Sequence, residues 1–425
     1  MARLVCGRWS KWIVLALWLI ILGVAGPLAG KLSGAQQNDN SAWLPGNAEA
    51  TKVMELSTRF QPDDIVPAVI VYERPAGITP ADQAKASADV VALRRVPGVT
   101  GEVAGPVPSQ DGQALQVIVP VKVDADGWDK IVGVVDGIKT VTGTGGDGLT
   151  VVLTGPAGTA ADSAKAFEGI DSALLYTTLA VVTVILLITY RSPVLWLLPI
   201  VSAGAALAAA QALIYLLAEH AGLVVNAQSA GILTVLVFGA GTDYALLLVA
   251  RYREELRRHA DRHEAMAQAL HRAGPAIIAS AATVAIGMSI LSFAEVNSTS
   301  GLGPVAALGI VVGLLAMITL LPALLVICGR WLFWPVRPAY GSAEPTATGL
   351  WARLGGRIAG RPRRVWVITT LILGAVSLGL LQLNANGLST ADSFTTEQPS
   401  VAGEQVLSRH FAGGQGQPVT VIAVA

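Results

Sequence analysis

The sequence predicts a polytopic α-helical membrane protein that carries an extracytoplasmic α+β module, and three observations lead to this prediction. Hydrophobic residues occupy 53% of the 425 positions and charged residues only 14%, unlike the balance of an ordinary soluble domain. Seven apolar segments occur along the chain, several of them longer than the roughly 18 residues that a helix needs to cross a bilayer. One long polar segment, residues 31–172, instead alternates helix and strand patterns.

Composition also excludes several classes of function. The 29 basic and 29 acidic residues give a formal net charge of zero, so the global charge indicates no nucleic-acid partner. The five histidines and the scattered acids show no metal-ligand spacing, no phosphate-binding loop and no nucleophile–base set. We therefore predict neither an enzyme nor an ATPase, and no metal or other cofactor. Cys6 and Cys328 fall near predicted cytoplasmic membrane ends, so no disulfide framework is expected outside.

The first apolar segment has two interpretations. Arg3, Arg8 and Lys11 precede an apolar run from Trp12 to Gly30. A basic start, an apolar centre and small residues near its end are also typical of a signal peptide. The alternative is a membrane helix that is retained, and an internal repeat described below favours the retained helix.

Residues 31–172 are predicted to form a module of roughly 120 residues with enough apolar positions for its own core. Thr79 is placed to cap a helix that starts at Pro80 and that Pro97-Gly98 ends. The predicted helices are 46–60, 79–95 and 128–140, and the predicted strands are 66–72, 114–123 and 149–153. Alternating helices and strands of this length make the module α+β.

The remaining apolar spans are 173–190, 194–217, 227–250, 275–294, 303–327 and 365–383. The chain then divides into a cytoplasmic N-terminus with helix 1 (1–30), the outer module (31–172), helices 2–6 (173–328), a cytoplasmic linker (329–364), helix 7 (365–384) and the start of a second outer module (385–425).

The distribution of basic residues predicts the orientation. Loops 218–226 and 295–302 contain no Lys or Arg, whereas the connections on the other side are rich in Arg. The positive-inside rule therefore places the N-terminus in the cytoplasm and residues 31–172 outside. The basic stretch 251–273 is predicted to be a solvated elbow helix resting on the inner leaflet, with a partner-binding helix as the alternative.

A second feature is a repeat that begins after the linker. Ala2-Arg3-Leu4 recurs as Ala352-Arg353-Leu354, and an apolar span follows both copies. At a spacing of 351, Leu56-Ser57 and Phe60 match Leu407-Ser408 and Phe411. The sequence thus predicts the first half of a parallel, pseudo-two-fold repeat. The first span has an internal twin that cannot be a signal peptide, and the C-terminal half of a longer transporter is expected to be missing.

Asp243 is the candidate functional residue because it lies inside an apolar span. It precedes Arg251 by eight residues, which corresponds to about 12 Å of depth along a helix. A carboxylate at such a depth costs about 2.5–3.5 kcal/mol on insertion scales, so it is a functional candidate by default. The alternative is a structural residue whose hydrogen bonds pack neighbouring helices.

Small and hydroxyl residues surround this carboxylate in the predicted helices. Gly239 and Ala240 lie one turn before Asp243 and are expected to let a neighbouring helix approach closely. Ser280 and Thr283 of the following span are candidate hydrogen-bonding partners. No substrate-binding residue is indicated.

Four motifs carry a resemblance to a known family. They are Gly239-x-x-x-Asp243-Tyr244, Arg251-Tyr-Arg-Glu-Glu255, Glu264-Ala-Met-Ala-Gln-Ala-Leu-His-Arg-Ala-Gly274 and Ser280-Ala-Ala-Thr283. With the order of one helix, an outer module, five helices and a restart, the chain resembles the MmpL family of the resistance-nodulation-division superfamily over essentially its whole length. The Ala-, Gly- and Arg-rich composition suggests an actinobacterial source.

The resemblance implies a proton-driven exporter of lipids or other hydrophobic compounds in the cytoplasmic (plasma) membrane, with a porter-like outer module. Asp243 would be the proton carrier and Tyr244 its hydrogen-bonding partner. A second such pair, expected in a tenth span, is absent from this sequence, and Leu247 stands where the family often has an aromatic residue. The implied partners are protons, a hydrophobic or lipid substrate, the bilayer and the missing C-terminal half, and a homo-oligomer is compatible with the sequence.

A different class of function uses the same helical core. A non-transporting membrane scaffold or a sterol-sensing-type receptor would keep the apolar helices without coupling to protons. A membrane enzyme is not favoured, because the sequence contains no catalytic constellation.

Overall fold

The computed structural model describes residues 7–36, 44–49, 51–53, 56, 64–123, 128–342, 350–383 and 398–411. The α+β module, which keeps the name outer module from its predicted side of the membrane, consists of β1 (Asp64–Glu73), α2 (Pro80–Leu93), β2 (Ala104–Pro108), β3 (Ala114–Val123), α3 (Trp128–Thr142), β4 (Gly145–Gly146) and β5 (Leu149–Thr154). It follows α1 (Ser10–Ala29). The helix predicted over 46–60 lies mostly outside the described residues.

One antiparallel sheet organises the module, in the order β2-β3-β1-β5-β4. Ile70 and Tyr72 of the central strand β1 face a core formed with α2 and α3. Val69 and Val71 are buried on the opposite face. A strand buried on both faces shows a continuous apolar run instead of alternation, which explains the sequence of β1.

The three predicted strands and two of the predicted helices of the module are confirmed. The strand predicted over 114–123 matches β3 residue for residue. The capping box is also present, since Thr79 accepts a hydrogen bond from the backbone N–H of Asp82 and the Asp82 carboxylate accepts one from that of Thr79. The two outermost strands, β2 and β4, were not predicted, because one contains two prolines and the other is only two residues long.

Helix α4 (Gly155–Tyr190) joins the module to the membrane part without a break. Its 36 residues correspond to a length of about 54 Å. The span predicted over 173–190 is therefore the apolar end of a longer helix, Leu174–Tyr190. The helix ends where Arg191 adopts a left-handed conformation with φ of 53°.

The membrane part continues with α5 (Leu197–Ala221), α6 (Ala227–Arg258), α7 (Arg262–Ile290) and α8 (Asn297–Cys328), followed later by α9 (Leu350–Gly360) and α10 (Pro362–Ser377). Among the described residues, six helical segments are long and apolar enough to cross a membrane, and Leu174–Tyr190 is a shorter apolar stretch. Six of the seven predicted spans thus lie in helices that are long and apolar enough to cross a membrane. Most of the buried apolar side chains of α4 to α8, with Trp18 of α1, form one contiguous core.

Residues 251–273 are mostly helical, as predicted, but they do not form a single elbow helix. Helix α6 continues to Arg258, and α7 starts at Arg262, so only a short turn separates them. Two local interactions explain the break. Asp261 caps α7 by accepting the backbone N–H of His263, and the Arg330 guanidinium donates to three carbonyl groups near the end of α6.

A helix from beyond the last span, α11 (Pro399–His410), packs on the outer module. Val406 and Leu407 cover the face of the sheet that carries Val69 and Val71. At its N-terminus, the backbone N–H of Ser400 donates to Asp162 of α4 at 2.8 Å. Helix α11 therefore completes the core of the outer module, although the two are far apart in the sequence.

His410 fastens the other end of α11. Its Nδ1 lies 2.6 Å from Asp111 and its Nε2 lies 3.0 Å from Glu73. Arg409 also approaches Glu73, at 3.5 Å. Burial opposes the imidazolium charge, but hydrogen bonds and attraction to Glu73 and Asp111 outweigh it and raise the pKa of His410. A hydrogen bond from Ser109, and then that from His410, lower the pKa of Asp111.

Candidate functional site

Helix α6 carries the candidate carboxylate. The helix begins where the Asn226 side chain accepts the backbone N–H of Ser229 at 2.8 Å. Its apolar residues extend from Ala227 to Ala250, and its basic residues start at Arg251. Asp243 lies in the middle of the apolar part, as predicted. Asp243 is therefore the one charged residue of α6 before its basic end.

Asp243 and Tyr244 are adjacent in sequence but lie on different faces of α6, because consecutive residues are about 100° apart around a helix. The Asp243 side chain is exposed, as is that of Leu247 one turn later, with 46% of its area accessible. Tyr244 is 5% exposed and belongs to the core of the bundle. Helix α6 thus has one packed face and one open face, and Asp243 is on the open face.

The Asp243 carboxylate makes no hydrogen bond or ion pair with any residue that the structure describes. Its negative charge interacts electrostatically with the side chain of the neighbouring Tyr244. In the described part of the chain, the carboxylate therefore does not connect α6 to another helix. This is the opposite of what a purely structural, helix-packing Asp would show.

Tyr244 lies toward α7. Its hydroxyl is buried, and the side chain that interacts with it is Ser280 of α7, although the pair does not reach good hydrogen-bond geometry. Thr283 is exposed and its hydroxyl donates to the Ala279 carbonyl of its own helix at 2.9 Å. Ser280 and Thr283 were predicted as partners of Asp243, but the structure brings Ser280 to Tyr244 instead and hydrogen-bonds Thr283 within its own helix.

The close helix contact predicted at Gly239 and Ala240 is instead at Gly241. A Cβ atom built on Gly239 would meet nothing within 4 Å. A Cβ atom on Gly241 would lie 2.9 Å from the Met317 side chain of α8 and 3.7 Å from Ala203 of α5. The prediction was wrong for Gly239, because helical spacing shows which residues share a face, but not which face is packed. Ala240 is partly buried against the core of the bundle.

The basic end of α6 contains a buried carboxylate that the sequence did not reveal. The Glu255 side chain is completely inaccessible. Its oxygens lie 3.0 Å from Arg272 of α7, 3.5 Å from Arg251 and 3.5 Å from His259. These are ion pairs rather than well-aligned hydrogen bonds. Glu255 therefore joins α6 to α7 at a point where several cations converge.

The two contacts between α6 and α7 belong to one antiparallel hairpin. Moving from Glu255 toward Tyr244 along α6 corresponds to moving from Arg272 toward Ser280 along α7. The ion pair at the basic end and the Tyr244–Ser280 approach are thus two separate contacts along the same pair of helices.

Among the described residues, no group of three or more His, Cys, Asp or Glu side chains is arranged to hold a metal ion. The side chains at the candidate site include the Asp243 carboxyl group, on an open apolar face, and the buried phenol of Tyr244. This combination can take up and release a proton.

Comparison with known proteins identifies the family. A model of the MMPL family matches residues 42–365. The chain belongs to the MMPL family. This confirms the resemblance inferred from the motifs around Asp243 and Arg251, and the chain is a multi-pass membrane protein.

Three relatives illustrate the range of the MMPL family. The chain is 58% identical over 418 residues to the membrane protein ActII-3 of Streptomyces coelicolor, covering 98% of this chain and 59% of that protein. It is 28% identical over 460 residues to the apo-petrobactin exporter of Bacillus anthracis, covering 99% and 61%. It is 30% identical over 432 residues to the sulfolipid-1 exporter MmpL8 of Mycobacterium tuberculosis, covering 97% and 38%. The chain thus spans between 38% and 61% of the length of these three relatives.

Proposed function

We propose that this chain forms part of a secondary transporter that exports a lipid or another hydrophobic compound across the cytoplasmic membrane and is driven by protons. Asp243 carries the proton, and the Tyr244 hydroxyl becomes its hydrogen-bonding partner during the transport cycle, since the two groups are not hydrogen-bonded in this structure. The observation that carries the proposal is the position of Asp243, the only acidic residue within the seven apolar segments of the sequence. It lies on an open face of α6, where nothing described neutralises it.

The physical argument concerns the cost of the charge. In an apolar environment the neutral carboxyl is favoured over the carboxylate. A group that is neutral for part of a cycle can be loaded from one side of the membrane and unloaded to the other. Each proton that moves inward across 100 mV supplies roughly 2.3 kcal/mol. The names of the Bacillus anthracis and Mycobacterium tuberculosis relatives as exporters favour transport over a scaffold, a receptor or an enzyme.

The distribution of charge supports an orientation. The Arg-rich ends of α6 and α7, including Arg251 and Arg272, lie together at one end of the bundle. We place this end in the cytoplasm and the outer module on the other side. The open face of α6 is where we place the remainder of a longer transporter, since the three relatives are longer than this chain.

The test is Asp243→Asn in the full-length protein, reconstituted in vesicles with an imposed proton gradient. We expect gradient-dependent export and proton uptake to fall to background, while Tyr244→Phe lowers both partially. Leu247→Asn is the matched control, because it places the same amide one turn away on the same exposed face. Export by Asp243→Asn at the wild-type rate, with equal protein in the vesicles, would refute the proposal.

A further inference from the structure

Helix α9 and the first residues of α10 form a strongly basic segment without a described protein partner. Between residues 350 and 383 the sequence contains no Asp or Glu. The five basic residues of this segment are Arg353, Arg357, Arg361, Arg363 and Arg364. None of them forms an ion pair or a side-chain hydrogen bond with another described residue. We call this set the arginine segment.

The apolar and basic residues of α9 are segregated. Leu354 and Ile358 are one turn apart and therefore share a stripe, and Arg353 and Arg357 form an adjacent stripe about 100° away. Leu354 is 40% exposed and Ile358 is 44% exposed. An amphipathic helix with arginines beside its apolar stripe is typical of helices that lie in the membrane interface.

The neighbouring helix fixes the position of this segment relative to a bilayer. Pro362–Gln382 is long and apolar enough to cross a membrane. Its first turn therefore lies at a membrane surface, and Arg363 and Arg364 lie at the depth of the headgroups. Arg361 leaves helical geometry, with φ of −144° and ψ of 55°. This break separates α9 from α10, so α9 can turn from the span into the plane of the interface.

We propose that the arginine segment binds the anionic phospholipid headgroups of the inner leaflet, with Leu354 and Ile358 at the boundary of the acyl chains. The side of the membrane follows from the orientation given under Proposed function, on which this inference rests. Arginine guanidinium groups match phosphate oxygens in charge and geometry. The segment has no acidic residue that could attract the positive group of a zwitterionic headgroup. It should therefore bind anionic lipid in preference to zwitterionic lipid.

The test is hydrogen exchange of the intact protein in nanodiscs of pure phosphatidylglycerol and of pure phosphatidylcholine. We expect the backbone amides of α9 to exchange more slowly in phosphatidylglycerol. A basic residue near an anionic surface strengthens binding by about fivefold. Arg353→Gln with Arg357→Gln should therefore reduce the protection by about 25-fold, and high salt should reduce it in the wild type.

The matched control is Arg94→Gln with Arg95→Gln, which removes two adjacent exposed arginines after α2 of the outer module. This pair should leave the protection of α9 unchanged. Unchanged exchange of α2 in the Arg353 and Arg357 variant shows that its fold is intact. Inorganic phosphate added to phosphatidylcholine discs should give no protection, which separates a lipid headgroup from a free anion.

Equal protection of α9 in both lipids would overturn the inference. Protection in lipid-free detergent would also overturn it, because it would show that another protein segment covers α9. Asp243→Asn should keep the lipid-dependent protection, since Asp243 is not part of the arginine segment. A failure of lipid binding can therefore be told from a failure of proton coupling.

Discussion

The buried carboxylate of Glu255 allows a quantitative test of how α6 and α7 are held together. Glu255→Gln keeps the size of the side chain and removes its charge. Breaking a buried ion pair by removing one partner costs about 3–5 kcal/mol. The arginine partners are 30% and 43% exposed and can turn toward water after the change. We therefore expect the lower end of the range, a loss of about 3 kcal/mol in the free energy of unfolding.

Glu254→Gln is the matched control, because the two residues are adjacent and chemically identical. The Glu254 side chain is 43% exposed and pairs with Arg251. An exposed ion pair contributes about 0–1 kcal/mol, so this variant should be close to the wild type. The assay is thermal or denaturant unfolding of the purified chain in detergent, with hydrogen exchange of α7 as a local readout. Equal losses in the two variants would refute the view that Glu255 joins the helices.

A charge exchange between Glu255 and Arg272 gives a further check on the same argument. In an isolated pair, exchanging the two charges restores the attraction. Here the new arginine at position 255 would face Arg251 at about the present separation of 3.5 Å and Arg258 at 4.0 Å. We therefore expect the double variant to be no more stable than Glu255→Gln. Full recovery of stability would show that Arg272 alone matters.

Two further predictions concern packing and pH. Gly241→Leu should destabilise this chain by about 1–3 kcal/mol through overpacking, whereas Gly239→Leu should be nearly neutral in unfolding experiments because its surroundings are open. The raised pKa of His410 means that its stabilisation of α11 is complete below the unfolded value of about 6.5 and is lost as the pH rises through the raised value. Hydrogen exchange of α11 across this pH range should show the loss in the wild type and not in His410→Gln.

Local patterns predicted most of the outer module. Thr79, Pro80 and Asp82 form a signal for the start of a helix that lies within four residues of the sequence. The structure contains that cap. Residues 114–123 form a strand because five of the ten residues are β-branched. The partner of that sheet could not be predicted, since α11 comes from more than 240 positions further along the chain. Contacts at such separations leave no local pattern.

The candidate site could likewise be predicted from the sequence only in part. An acidic residue in an apolar run locates Asp243 without any structure. The open face around it depends on which helices surround α6, and so does the choice of Gly241 rather than Gly239 as the contact point. The burial of Glu255 was hidden for a related reason. In sequence it is one charge among many near Arg251, and only the fold brings Arg272 of the next helix to it.

Two carboxylates on one helix show how position decides chemistry. Glu255 is inaccessible to solvent but lies among cations, so its charge is compensated where it is. Asp243 lies deeper in the apolar part of α6 and has no cation within the described chain. An unpaired carboxylate at such a depth costs about 2.5–3.5 kcal/mol. In the proposed transporter, the surface that covers the open face of α6 sets this cost and thereby controls when Asp243 carries the proton.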